Sequence, residues 1–138
     1  MRLRRDQVVE LLKSQNVKMT PQRLAIIDYL ERHLVHPSVE DIYQALLPQY
    51  PMISLATVYN TLDLLQNLQV VIKLTIDDKR VNYEYDVHPH DHFFCVTCES
   101  IYDIPTDRDM VSVMNGHMIE QSFVYYKGVC KDCLSSNK

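Results

Sequence analysis

The four cysteines of the chain fall into two Cys-x-x-Cys pairs, Cys95-Val96-Thr97-Cys98 and Cys130-Lys131-Asp132-Cys133. Two residues between thiols let both sulfurs of a short turn address one ion. Two such turns supply the four soft ligands that tetrahedral zinc takes. The interval between the pairs is long enough for the chain to leave, build other elements and return. Two disulfides, or a redox Cys-x-x-Cys with an unrelated partner, are the competing uses of such pairs. Nothing marks the chain as secreted and cytosolic disulfides are rare, so zinc is the leading expectation.

The 138 residues suffice for one ordinary domain or two small ones. No apolar run is long enough to span a membrane and no secretory apolar segment follows Met1, so a cytoplasmic location is expected. With only two glycines, phosphate-cradling glycine loops are nearly excluded. The net charge of −4 argues at first against nucleic acid, but the charge is unevenly spread. Residues 1–80 carry 10 Lys/Arg against 9 Asp/Glu, whereas residues 81–138 carry 4 against 9. A mildly basic first half can meet phosphates, and an acidic second half suits cations. Chance unevenness on solvated faces explains the same counts.

The first half reads as helices. Val8, Leu11 and Leu12 form a helical stripe within Arg4–Gln15. Thr20-Pro21 opens a second helix, with Thr as N-cap and Pro in the first turn, carrying Leu24, Ile27 and Leu30. His36-Pro37 is expected to break that helix. Ser38 caps a third, with Val39, Ile42, Tyr43 and Leu46 inward. Pro48 and Pro51 bracket a turn, and Ser54 caps a fourth helix, Leu55–Leu68, with Val58, Leu62 and Leu65 inward. The period then changes. Val70–Ile76 and Val81–Val87 alternate and are β-rich, giving a hairpin around Asp77-Asp78-Lys79-Arg80. Helices followed by a two-stranded hairpin fit a winged helix-turn-helix, whose last core helix enters the major groove. A generic small α+β domain fits the pattern too.

The second half follows a hinge expected at about residues 84–90, with residues 1–86 forming one domain and 91–138 the other. Short β segments are expected around Phe93–Val96 and Ser100–Ile104. The spacing predicts a helix over Asp107–Asn115, capped by Thr106 and ended by Gly116, then one long strand over His117–Tyr126. The tail Ser135–Lys138 is expected to fray. A zinc staple would stabilise a domain too small for a sufficient core of its own.

The histidines cluster. His88, His90 and His92 form a His-Pro-His-Asp-His run just before the first cysteine pair, with Glu84 and Asp86 before it and Asp103 after it. On an extended segment His90 and His92 point to one face. Imidazole and carboxylate together suit iron, manganese or zinc in a site of four to six donors, and His36, Glu84, His90, His92 and Asp103 supply five. Any single histidine is more often an ordinary surface or core residue, as His117 is expected to be. Metallo-β-lactamase-type hydrolases use a longer histidine motif in a much larger fold, and no serine sits in a nucleophile elbow. No enzymatic activity is expected.

Met19-Thr20-Pro21-Gln22-Arg23, His36-Pro37-Ser38, Ser54-Leu55-Ala56-Thr57-Val58-Tyr59-Asn60-Thr61-Leu62, His90-Asp91-His92-x-x-Cys95-x-x-Cys98 and Gly128-Val129-Cys130-x-x-Cys133 occur in that order. The chain thereby resembles the ferric uptake regulator (Fur) superfamily, which includes the peroxide regulator PerR. The resemblance covers nearly the whole chain. It implies an α+β chain, with an N-terminal winged helix-turn-helix DNA-binding domain followed by a small C-terminal α/β dimerisation domain that holds a four-cysteine zinc site. It further implies a homodimer that represses genes on palindromic operator DNA when loaded with a divalent metal. On this resemblance Cys95, Cys98, Cys130 and Cys133 are structural zinc ligands. His36, Glu84, His90, His92 and Asp103 are the regulatory ligands for Fe2+ or Mn2+, with Zn2+ as a third option. Arg23, Thr57, Tyr59 and Asn60 are expected at DNA, Tyr59 facing outward because Val58 and Leu62 fill the core stripe.

Three departures qualify the resemblance. Asp63 stands where related recognition helices often carry a basic residue, and Gln69 replaces the usual glycine after that helix. Pro89 and Ser122 occupy positions that supply histidines to a third metal site in many members, so that site is expected to be absent in its usual form, with His88 able to contribute to a variant. Glu84 stands where peroxide sensors typically have Asp, which leans the reading toward metal sensing and leaves peroxide sensing as the alternative. A zinc-stapled dimeric module with weak DNA binding is the remaining one.

Overall fold

The computed structural model describes residues 3–33, 36–75, 81–85, 90–106, 112–120 and 122–136. The chain divides into two compact units, Met1–His88 and Pro89–Lys138.

The first unit is helical. Its elements are α1 (Arg5–Ser14), α2 (Pro21–Arg32), α3 (Val39–Leu46), α4 (Leu55–Asn67) and a two-stranded wing of β1 (Ile72–Leu74) and β2 (Asn82–Glu84). The caps explain the starts. Thr20 Oγ1 accepts from the Arg23 amide, Ser38 Oγ from Asp41 and Ser54 Oγ from Thr57, each satisfying an amide that has no partner inside its helix. Asp41 completes the box at α3, accepting from the Ser38 amide at 3.0 Å. Val8, Leu12, Ile26, Ile27, Leu30, Ile42, Val58, Leu62 and Leu65 form a continuous core. Each fully buried Leu or Ile there contributes about 1.5–3 kcal/mol relative to exposure.

Some boundaries differ from the sequence expectation. α2 ends at Arg32, so His36-Pro37 does not terminate it. Instead Tyr83 N–H donates to the Pro37 carbonyl at 2.8 Å and Ser38 bridges to Asn82, which lays residues 37–38 along the wing. Leu24 and Tyr43 are only partly covered, while Ala25 and Ile26 take the inner face of α2. Strand β1 begins at Ile72 rather than Val70, because the end of α4 uses the intervening residues. Val70 N–H donates back to Leu65 at 2.8 Å, and Val70 and Val71 are buried in the helical core. The wing is antiparallel, with Ile72 opposite Glu84 and Leu74 opposite Asn82. Its connection Asp77–Arg80 and the hinge residues 86–89 lie outside the described residues.

The second unit holds a three-stranded sheet in the order β4 (Ile101–Ile104), β3 (Asp91–Cys95), β7 (Tyr125–Gly128). β4 is antiparallel to β3, and β7 is parallel to it. A separate hairpin pairs β5 (Val113–Met114) with β6 (His117–Met118), and α5 (Lys131–Ser136) closes the unit. This overturns two expectations. Residues 112–118 are not the end of a helix, and His117–Tyr126 is not one strand. Asn115 and Gly116 both take positive φ, 51° and 81°, and form the two-residue loop of the hairpin. Asn-Gly supplies that conformation at little steric cost. The earlier part of the expected helix, 107–111, lies outside the described residues. Ser135 and Ser136, expected to fray, are the last turn of α5.

Candidate metal centres and nucleic-acid surface

Cys95 ends β3, Cys98 lies in the turn that follows, Cys130 precedes α5 and Cys133 lies within it. The parallel register sets Cys95 opposite Gly128 and so brings the two turns together. The four sulfurs lie within 4.8 Å of one another. Cys95 Sγ is 3.8 Å from Cys133 Sγ, and Cys98 Sγ is 3.8 Å from Cys130 Sγ. A disulfide needs about 2.05 Å. A tetrahedron of sulfurs around zinc at about 2.3 Å has edges of about 3.8 Å. The donor set therefore fits zinc, and all four cysteines are free of disulfides in this conformation.

The surroundings also suit thiolates. Cys95 Sγ accepts from the amides of Cys98 and Cys130, both at 3.4 Å. The Cys98 amide is the main reason the Cys95 thiol is lowered to about 6. The Tyr102 hydroxyl hydrogen-bonds Cys130, which lowers that thiol and pushes the phenol up to about 12. A hydrogen bond to Cys130, and next burial, push the Cys133 thiol up to about 12.

The five nitrogen and oxygen donors occur in two sets, one in each unit. In the first unit His36 Nε2 lies 3.3 Å from Glu84 Oε1, and both side chains are nearly buried. Asn82 fixes this pair from behind, since its side-chain amide donates to the His36 carbonyl at 2.8 Å. In the second unit His92 stands opposite Asp103 in the β3–β4 ladder, so the two point to the same face. His90 precedes His92 by two residues and shares its side. Asp103 Oδ1 is 3.3 Å from His90 Nε2 and 3.7 Å from His92 Nε2, and the two imidazole rings lie 4.6 Å apart. Donors that share an ion at about 2.1 Å stand roughly 3.0–3.4 Å apart, so each set has the spacing of a partial coordination shell. Asn82 and Tyr102 were not legible as site residues. An Asn in an otherwise β-rich run was the one available signal for the first.

Helix α4 buries Val58, Thr61, Leu62 and Leu65 and exposes Tyr59, Asn60 and Asp63, with Tyr59 at 44%. Thr57 is half-covered and touches the cap, its Oγ1 3.0 Å from Ser54 Oγ. Arg23 folds back and donates from its guanidinium to the Lys18 carbonyl, bracing the turn before α2. The Tyr83 phenol is raised chiefly by burial, and next by Asp63, Tyr59 and Glu40 around it.

A capped helical unit with a wing, joined in sequence to an α/β unit that gathers four thiols, defines a winged-helix metalloregulator. The model of the ferric uptake regulator family matches residues 14–122, and the chain belongs to that family. The peroxide-responsive repressor PerR of Staphylococcus aureus (strain USA300) is 33% identical over 133 residues, covering 93% of this chain and 90% of that protein. The structure of PerR from Streptococcus pyogenes is 33% identical with a TM-score of 0.58, covering 96% of this chain and 95% of that one. The ferric uptake regulator Fur of Helicobacter pylori reaches a TM-score of 0.79 at 20% identity, over 100% of this chain and 99% of that one, which is a likeness of fold. No helix among the described residues is long and apolar enough to cross a membrane.

Proposed function

We propose that the protein is a cytoplasmic, metal-dependent transcriptional repressor that binds palindromic operator DNA as a homodimer. Cys95, Cys98, Cys130 and Cys133 hold a structural zinc. His36 and Glu84 from one unit and His90, His92 and Asp103 from the other take up one regulatory Fe2+ or Mn2+. The observation that carries this reading is the donor geometry of the two sets, each with imidazole and carboxylate at coordination-shell spacing. A bound ion supplies bonds to donors of both units. His36 and Glu84 then fix the helical unit against His90, His92 and Asp103. That fixes the separation of the two α4 helices in a dimer, which must match the half-site spacing of the operator. Metal and operator favour the same arrangement, so each raises the affinity of the other. Tyr59, Asn60 and Thr57 face the groove, while Arg23 contacts or braces the backbone-facing turn.

Peroxide sensing is the second reading, favoured by the 33% identity to peroxide-responsive repressors. Glu84 speaks for metal sensing. The test is anaerobic binding to a palindromic duplex from the gene's own promoter, using zinc-containing protein with no added metal, with Mn2+, with Fe2+, and with Fe2+ followed by peroxide. Binding that requires metal and survives peroxide supports metal sensing. Binding with Fe2+ that peroxide abolishes replaces it with peroxide sensing. Absence of binding under every condition overturns the repressor.

A further inference from the structure

We infer that Asp63 reads a base edge, its carboxylate accepting from the exocyclic amino group of a cytosine next to the base met by Tyr59. The inference rests on α4 being the recognition helix. Between Leu55 and Asn67 that helix contains no Lys or Arg, so it cannot use the usual bidentate contacts to guanine. Its exposed face carries Tyr59, Asn60 and Asp63. Asp63 lies four residues after Tyr59, one helical turn or about 6 Å further along. It forms no ion pair among the described residues. The four-residue spacing sets Tyr59 and Asp63, both exposed, on the same face of α4.

An ionised carboxylate has acceptors only. Against phosphate it is repelled. Against guanine it meets O6 and N7, and against thymine O4, all acceptors. Cytosine offers N4 as a donor. Adenine offers N6 beside the N7 acceptor, which repels the second carboxylate oxygen. Asp63 therefore selects largely by exclusion, rejecting most base edges and favouring one. The helix that holds it is well anchored, capped by Ser54 and tightened by Thr61 Oγ1 donating to the Thr57 carbonyl at 2.8 Å.

The test is selection from a randomised duplex library by Mn2+-loaded protein, for the native chain and for Asp63→Asn and Asp63→Ala. Asp63 is exposed, and thermal melts of both variants should match the native chain. The native protein is expected to favour cytosine by roughly tenfold at two dyad-related positions. Asp63→Asn is expected to move that preference to adenine, whose N6 and N7 pair with a side-chain amide. Asp63→Ala is expected to lose preference there and keep it elsewhere. If both variants bind all sequences more tightly with unchanged preferences, Asp63 merely repels phosphate and the inference fails. If the native protein selects no sequence while metal-loaded, the recognition-helix reading fails and takes this one with it.

Discussion

His36 Nε2 lies 3.3 Å from Glu84 Oε1, and the Asn82 amide behind them holds the His36 carbonyl. A histidine on a loop is thereby registered against a carboxylate on the wing. Asn82→Ala should cost about 1–2 kcal/mol from the lost hydrogen bond to a covered carbonyl. If His36 and Glu84 bind the regulatory metal as proposed, it should also weaken Mn2+ binding about tenfold without changing either side chain, as loss of a supporting contact typically does. Titration with Mn2+ alongside zinc analysis separates the effects, since zinc content should not change. Equal Mn2+ affinity in the variant would show that Asn82 is structural only.

Removing zinc should unfold the second unit and spare the first. The continuous apolar core belongs entirely to the first unit, from Val8 to Tyr85. In the second, the buried side chains among the described residues are Asp91, His92, Phe94, Cys95 and Cys130. So little apolar burial cannot offset chain entropy without the four-thiol link. After treatment with a strong chelator, amide exchange should become fast across β3, β4 and β7 and stay slow in α2 and α4. Uniform loss of protection would contradict the separation.

Zinc uptake by the chelated protein near neutral pH should release close to four protons, because the unfolded second unit leaves its thiols near the ordinary value of about 8.5 and mostly protonated. Protons compete with zinc, so affinity should rise with pH and the released count should fall as pH passes the thiol range. Calorimetry in buffers of different ionisation enthalpy counts the protons. A release of two or fewer at neutral pH would show that the cluster keeps its folded hydrogen bonds without zinc, where Cys95 is lowered to about 6 and Cys130 is lowered as well.

Gln69→Gly should stabilise the helical unit by about 0.5–1 kcal/mol. Gln69 sits just past α4 at φ 60°, the left-handed region that side chains avoid. The turn is nonetheless made, with Val70 N–H donating to Leu65 and Gln69 N–H to Gln66. Glycine removes the strain and gives part of it back as greater freedom in the unfolded chain. The denaturant midpoint should rise at an unchanged slope. A lower midpoint would mean that the Gln69 side chain has a compensating contact.

The helical unit was legible because its signals were local. Thr20, Ser38 and Ser54 each cap a helix within three residues, and the Val58, Leu62, Leu65 stripe is buried as its period requires. The second unit was less so. Gly116 after an apolar stretch suits both a helix end and a hairpin, and the preceding Asn115 was the discriminating residue. The turn chemistry of that pair outweighed helical spacing. Helix α5 has no buried stripe to reveal it; it follows from the turn that carries Cys130 and Cys133. Likewise, that His92 and Asp103 share a face depends on strand register, which spacing alone does not specify.

Because β3 and β7 are parallel neighbours, they finish at the same edge of the sheet. The segment between Ile104 and Tyr125 leaves from one strand and returns to another without setting where Cys95 and Cys130 meet. Its length is therefore decoupled from the thiol cluster. Residues inserted or deleted around the β5–β6 hairpin should therefore leave both knuckles in register, a tolerance that a protein engineer could use as an exchangeable cassette.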